Sequence, residues 1–169
     1  MRQRVMIALA LSCKPELIIG DEPTTALDVM MQAQILELLE ELRRELGLAM
    51  ILITHDLSVL AETCDRVAIM YAGQIAEVGT VRDLYSSPQH PYTQRLLASF
   101  PAIGGPRELA PAIPGVPPDP AEQPPGCRFA PRCHRVAARC ATEEPELRPL
   151  TDDRLVRCHY APWPAGGAT

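Results

Sequence analysis

The chain has 169 residues, 47% of them apolar, and a formal charge of −5, so it can bury a core of its own. That acidity and an aromatic content of only 4% point away from a nucleic-acid surface built on basic and stacking side chains. No apolar run approaches the roughly 18 residues of a membrane span, and no charged and then apolar leader opens the sequence, so the chain reads as cytosolic, with any membrane role reached through a partner.

The spacing of Val5, Met6, Leu9 and Ala10 predicts a helix from Arg2 to Ser12, closed by Pro15 before a strand over Glu16 to Gly20. A turn at Pro23 to Asp28 leads into a long helix. Its apolar residues Ile35, Leu38, Leu39, Leu42 and Leu46 recur at helical spacing, Glu40 and Arg44 lie on the other face, and Gly47 stands where a C-terminal cap belongs. The run LAMILITHD, residues 48–56, reads as a continuous apolar strand ending at His55 and Asp56, with a short helical pattern through Leu57, Leu60 and Ala61 behind it. This alternation predicts an α/β fold, a parallel sheet with flanking helices. Residues 65–80, DRVAIMYAGQIAEVGT, read as two strands joined at Ala72-Gly73, a hairpin signal. Two short helices are expected near Val81 to Tyr85 and Tyr92 to Phe100.

Composition changes at Pro101. Nine of the 18 prolines fall between Pro101 and Pro125, a density that predicts an extended, semi-rigid linker. The expected organisation is therefore a domain over 1–100, a proline-rich linker over 101–125, and a small cysteine-rich module over 126–161.

Six cysteines in a chain read as intracellular point to ligands, nucleophiles or buried thiols before disulfides. Cys13 and Cys64 stand alone among apolar residues and read as small buried side chains. Cys127, Cys133, Cys140 and Cys158 follow C-x5-C-x6-C-x17-C, without the paired C-x2-4-C of zinc ribbons. Four thiolates at irregular spacing suit an iron–sulfur cluster equally well, and His134 or His159 could replace a thiolate at a zinc.

Ligands of parallel α/β sheets gather at the carboxyl ends of the strands, where Asp21, Glu22 and His55 fall. The first carboxylate there suits Mg²⁺ held through water and the second a polarised water, although a bare Asp-Glu pair is as often a solvated acidic turn.

Taken in order, LIIGDEPTTALD (17–28), LITHDL (52–57) and DRVAIMYAGQIAEVGT resemble the ATP-binding-cassette ATPases over residues 1 to about 100. The resemblance implies ATP and Mg²⁺ as ligands. It makes Asp21 the aspartate that positions Mg²⁺, Glu22 the base that activates the attacking water, and His55 the histidine that hydrogen-bonds the γ-phosphate. It also places Asp28, in the loop Thr25 to Asp28, at the crossing to the opposite subunit of an ATP-closed dimer. Gly20 departs from the apolar residue usual at its position.

No GxxxxGK[ST] occurs in the sequence, so the phosphate cradle is not among these residues. MRQRVMIALAL resembles the helix that follows the signature motif of these ATPases, so the chain is expected to be a C-terminal part of such a subunit, inactive in isolation. The stretch VGTVRDLYSSPQHPYTQRLLASFP (78–101), with His90-Pro91-Tyr92-Thr93, and the cysteine-rich tail resemble the ATP-binding subunits of oligopeptide and dipeptide importers and their nickel-importing relatives.

That resemblance implies a 4Fe-4S centre, with Zn²⁺ as the alternative. Its implied partners are a second ATPase subunit, membrane permease subunits and, indirectly, an extracytoplasmic substrate-binding protein, at the cytoplasmic face of the inner membrane and without nucleic acid. Two other readings stay open, a soluble cassette ATPase acting on nucleic acid or ribosomes and an inactive remnant.

Overall fold

A computed structural model of the chain describes residues 2–25, 27–99 and 112–163. They form two units, one over residues 1–64 and one over 65–169.

In the first unit, α1 (Arg2–Leu11), β1 (Leu17–Asp21), α2 (Val29–Leu46), β2 (Ala49–Ile53) and α3 (Leu57–Thr63) alternate as the sequence predicts. The strands β1 and β2 pair in parallel, with Leu17 opposite Ala49 and Asp21 opposite Ile53. Helix α2 is capped at both ends. Asp28 accepts a hydrogen bond from the Met31 N–H at 2.8 Å, and Gly47 takes a left-handed conformation (φ 65°) with its N–H on the Arg43 carbonyl.

Of the expected apolar face of α2, Ile35 and Leu39 are buried. Leu39 and Leu42 share a small cavity with Ile7, Ile18 and Met50, so one face of the sheet packs on helices. The opposite face, Leu17, Ile19, Ile51 and Ile53, is exposed, as are Val5, Met6 and Leu9 of α1. A strand that is apolar on both sides thus buries only one side within this unit.

The second unit is built on a four-stranded antiparallel sheet in the order β3-β4-β6-β5. Strands β3 (Arg66–Tyr71) and β4 (Gln74–Thr80) form the predicted hairpin, and Ala72 and Gly73 both have positive φ (47° and 79°), as a type I′ turn demands. Strands β5 (Arg148–Thr151) and β6 (Arg154–Val156) were not foreseen. Strand β6 pairs with β4, Glu77 against Val156 and Val78 against Leu155, so the C-terminal segment completes the sheet that the hairpin begins.

Helices α4 (Val81–Ser86) and α5 (Pro91–Ala98) follow the hairpin, while Phe100 and the start of the proline-rich stretch, 101–111, lie outside the described residues. Residues 112–125 carry no helix or strand, and Arg132 holds them by donating to the carbonyls of Ile113 (3.0 Å) and Pro114 (2.9 Å). A short 3₁₀ turn at Ala130–Arg132 and α6 (Ala138–Thr142) complete the cysteine-bearing segment.

Two apolar groups hold this unit together. Val156, Cys158 and Ala161 are buried, with Leu150 and Trp163 packed on them. The rings of Tyr71 and Tyr92 lie 5.1 and 5.4 Å from that of the buried Phe129, both at steep angles that favour edge-to-face contact.

Candidate functional site

The parallel register of β1 and β2 decides the first site. Because Asp21 lies opposite Ile53, the residues just past each strand come together, and the ladder continues one step as the Glu22 N–H donates to the Ile53 carbonyl at 2.9 Å. Glu22 itself has φ 49°, a left-handed conformation uncommon outside glycine, which turns the chain sharply at the strand end. Its carboxylate then meets His55, Oε1 lying 2.8 Å from Nδ1, and accepts the Thr25 hydroxyl on Oε2 at 3.0 Å.

The pair is open to solvent, His55 more so than Glu22. The hydrogen bond from His55 holds the Glu22 carboxyl below the usual carboxylate range, and the same bond raises His55 above the usual imidazole value. A carboxylate in this state stays ionised and can accept a proton from a bound water. Thr25, named from the sequence only as the start of the loop to Asp28, orients it.

Asp21 ends β1 with its side chain exposed, and Asp28 caps α2. Among the described residues no hydrogen bond joins either aspartate to the Glu22–His55 pair. The structure therefore brings together two of the four predicted residues of this site. Asp56, next to His55, caps α3 through the Ser58 N–H at 3.0 Å and accepts from Gln32 at 3.3 Å, which fixes the end of β2 against α2.

In the second unit all four C-terminal cysteines line one small cavity, about 20 Å³ in volume, together with His90, Phe129, Arg135 and Trp163. Local turns aim them there. The Cys127 N–H donates to the Cys140 carbonyl at 2.8 Å, Ala130 N–H turns back onto the Cys127 carbonyl at 2.9 Å, and Cys133 N–H onto that of Ala130 at 3.2 Å. Gly126 permits the first contact. A Cβ there would lie 2.3 Å from the Cys140 carbonyl oxygen.

Burial pushes the Cys127 thiol up and that of Cys133 up to about 11, as expected of sulfur withdrawn from water. Among the described residues no group of three or more His, Cys, Asp and Glu side chains closes on a single ion position. Cys13 is exposed and Cys64 half-buried, so the expectation of burial holds in part for Cys64 and not for Cys13.

His90 is shut in beside these cysteines and is neutral, its pKa pushed down by burial to about 4. Its Nδ1 accepts the Tyr92 N–H at 3.0 Å and so caps α5, which assigns the His-Pro-Tyr-Thr stretch a definite local job. Of the two histidines considered as zinc ligands, His134 is bracketed by Arg95 and Arg135, both at 3.3 Å, and His159 reaches the Glu143 carbonyl at 2.9 Å.

Comparison with known proteins bears on both sites. Residues 76–140 match the family described as oligopeptide/dipeptide transporter, C-terminal region. The oligopeptide transport ATP-binding protein AppD of Bacillus subtilis is 54% identical over 158 residues, 94% of this chain and 48% of the relative. The dipeptide transport ATP-binding protein DppD of Escherichia coli is 48% identical over all 169 residues, 52% of its own length. The chain thus spans about half the length of the curated relatives it matches. Among solved structures, cbiO1 of Clostridium perfringens, part of an ABC transporter complex, aligns over 48% of this chain and 33% of its own at 38% identity and a TM-score of 0.46.

Proposed function

We propose that this chain, whose residues 76–140 match the oligopeptide/dipeptide transporter C-terminal region, is part of the ATP-hydrolysing subunit of a peptide importer. The observation that carries the proposal is the Glu22–His55 pair, joined at 2.8 Å at the ends of adjacent parallel strands in a chain about half identical to transport ATP-binding proteins.

In this reading Glu22 takes the proton from the water that attacks the terminal phosphate, and Thr25 and His55 hold the carboxylate in place and ionised. With Nδ1 held by Glu22, His55 donates its Nε2–H to a phosphate oxygen in this reading. Asp21, a hard oxygen donor at the strand end, fits Mg²⁺ held through water, and the ion supplies neutralisation of phosphate charge when bound. Asp28 serves the loop that crosses to a second ATPase subunit, as well as capping α2. None of the 169 residues forms the phosphate-cradling GxxxxGK[ST] motif, so these residues provide the water and metal side of the site.

Cys127, Cys133, Cys140 and Cys158 are assigned to one 4Fe-4S cluster. Their convergence on one cavity supports it, and their soft thiolate donors suit it. Zn²⁺ held by the same four thiolates is the alternative.

The partners are membrane permease subunits and, through them, an extracytoplasmic peptide-binding protein, which puts the chain on the cytoplasmic face of the inner membrane. No helix among the described residues is long and apolar enough to cross a membrane.

The test is peptide-stimulated ATP turnover by the assembled transporter containing these residues. Glu22→Gln is expected to lower turnover by on the order of 10² to 10⁴ while ATP still binds, and unchanged turnover would remove Glu22 from the mechanism.

A further inference from the structure

The cavity that gathers the four cysteines has a wall that the ligand assignment does not use. Arg135 and Trp163 both line it. Trp163 is the chain's one tryptophan, and its indole Nε1 is shut off from solvent without a hydrogen-bond partner. A buried donor left unmade is costly, and a ligand held in this cavity is one way to complete it. Arg135 lays its guanidinium over the same indole, Cζ 4.4 Å from the ring centroid, and its backbone N–H points at Cys133 Sγ at 3.3 Å. Trp163 is itself fixed. Its carbonyl accepts from Gln89 Nε2 at 3.2 Å and its N–H donates to Gln89 Oε1, while the Gln89 backbone N–H is tied to the buried Glu77 at 2.8 Å.

We propose that Arg135 and Trp163 form a positively polarised wall that sets the reduction potential of an iron–sulfur cluster on the four cysteines. Arg135 acts by its charge and its backbone N–H on Cys133, and Trp163 by donating its indole N–H to cluster or cysteine sulfur. The inference rests on the cluster assignment above. Four thiolates make the site anionic, and one added electron makes it more so. Hydrogen bonds to sulfur and nearby positive charge both favour the reduced form.

The experiment is anaerobic redox titration of the full chain with dithionite as reductant, followed by visible absorption and electron paramagnetic resonance, with iron counted per chain. Trp163→Phe keeps an aromatic ring for Arg135 to lie over and removes the N–H together with the five-membered ring of the indole. Arg135→Gln removes the charge, and Arg135→Lys keeps it.

Trp163→Phe and Arg135→Gln are each expected to retain iron and to shift the reduction equilibrium about tenfold toward the oxidised form, which is 59 mV for one electron. Arg135→Lys should recover much of the shift, and Arg66→Gln, an equal charge loss at an arginine paired with Asp153 on the surface, should leave the potential unchanged. Should Arg135→Gln shed iron, the Trp163→Phe comparison decides. Iron-loaded variants with the wild-type potential would overturn the polarising wall while leaving the cluster assignment intact. A wild-type chain holding zinc or no metal would overturn the cluster assignment and the wall together.

Discussion

Glu77 and Arg154, distant in sequence, form a buried ion pair, with Arg154 Nη2 2.7 Å from Glu77 Oε1 and Glu77 wholly enclosed. The same carboxylate accepts the backbone N–H groups of Gln89 and His90, both at 2.8 Å, and Arg154 donates as well to the Ser87 carbonyl. One carboxylate on β4 thereby seats the loop that starts α5, the start of β6 and, through Gln89, Trp163.

Removing one member of such a pair strands the other without its partner in a place water does not reach. Glu77→Ala should therefore cost about 3 to 5 kcal/mol of stability. Urea unfolding followed by the fluorescence of Trp163 reads this directly, since no other tryptophan contributes. A loss under 1 kcal/mol would mean that water reaches Arg154 and that the network is not the anchor of this loop.

The Glu22–His55 pair makes a signed prediction about pH. His55 titrates above its ordinary 6.5, so the pair's contribution is complete below that value and disappears as pH rises through the raised one. Glu22 titrates below its ordinary 4.5, so on the acid side the contribution is present above 4.5 and disappears as pH falls through the lowered value. The histidine C–H resonances of His55, followed by NMR, should show a midpoint above 6.5, and Glu22→Gln should bring it back toward 6.5. A midpoint indifferent to that substitution would place the raising charge elsewhere.

What the sequence discloses of this chain is its local structure. Ala72-Gly73 announces the hairpin and Gly47 the end of α2 because one residue's conformational freedom suffices for each. Likewise the strand ends carrying Glu22 and His55 could be placed from apolar runs, and parallel pairing then makes their meeting a matter of register. The strands β5 and β6 escaped because each is short and opens on Arg, with Pro149 following in β5, and the pairing of β6 with β4 joins residues far apart in sequence. Glu77 escaped for a similar reason, since a glutamate in an alternating strand reads as outward-facing and only its distant partner Arg154 turns it inward.

The role assigned to His55 separates binding from turnover. In the assembled transporter His55→Ala should cut ATP hydrolysis by on the order of 10² or more and leave nucleotide affinity within a few-fold, because ground-state affinity comes from a phosphate cradle to which His55 does not belong. Turnover and equilibrium nucleotide binding, measured on the same preparation, decide it. Equal losses in both would mark His55 as a support for the turn at Glu22 rather than a group that faces phosphate.

Gly126 gives the sharpest structural test of the cysteine cavity. A methyl group there would stand 2.3 Å from the Cys140 carbonyl oxygen, 2.7 Å from Ala141 C and 2.9 Å from Thr142 N, all backbone atoms that cannot rotate aside. Gly126→Ala must then push the 126–127 segment away from α6 and break the Cys127 to Cys140 hydrogen bond that draws two of the four thiols together. Overpacking of this kind costs about 1 to 3 kcal/mol, and here the strain falls on the ligand geometry itself. Gly20→Ala is the matched control, because the nearest atoms to its new methyl are side-chain atoms of Leu52 and Pro23 at 3.4 and 3.5 Å, ordinary contact distances. After anaerobic purification Gly126→Ala should hold well under half the iron of the wild type and lose its brown colour, while Gly20→Ala keeps both. Full iron loading in Gly126→Ala would show that the four cysteines do not depend on this close backbone approach.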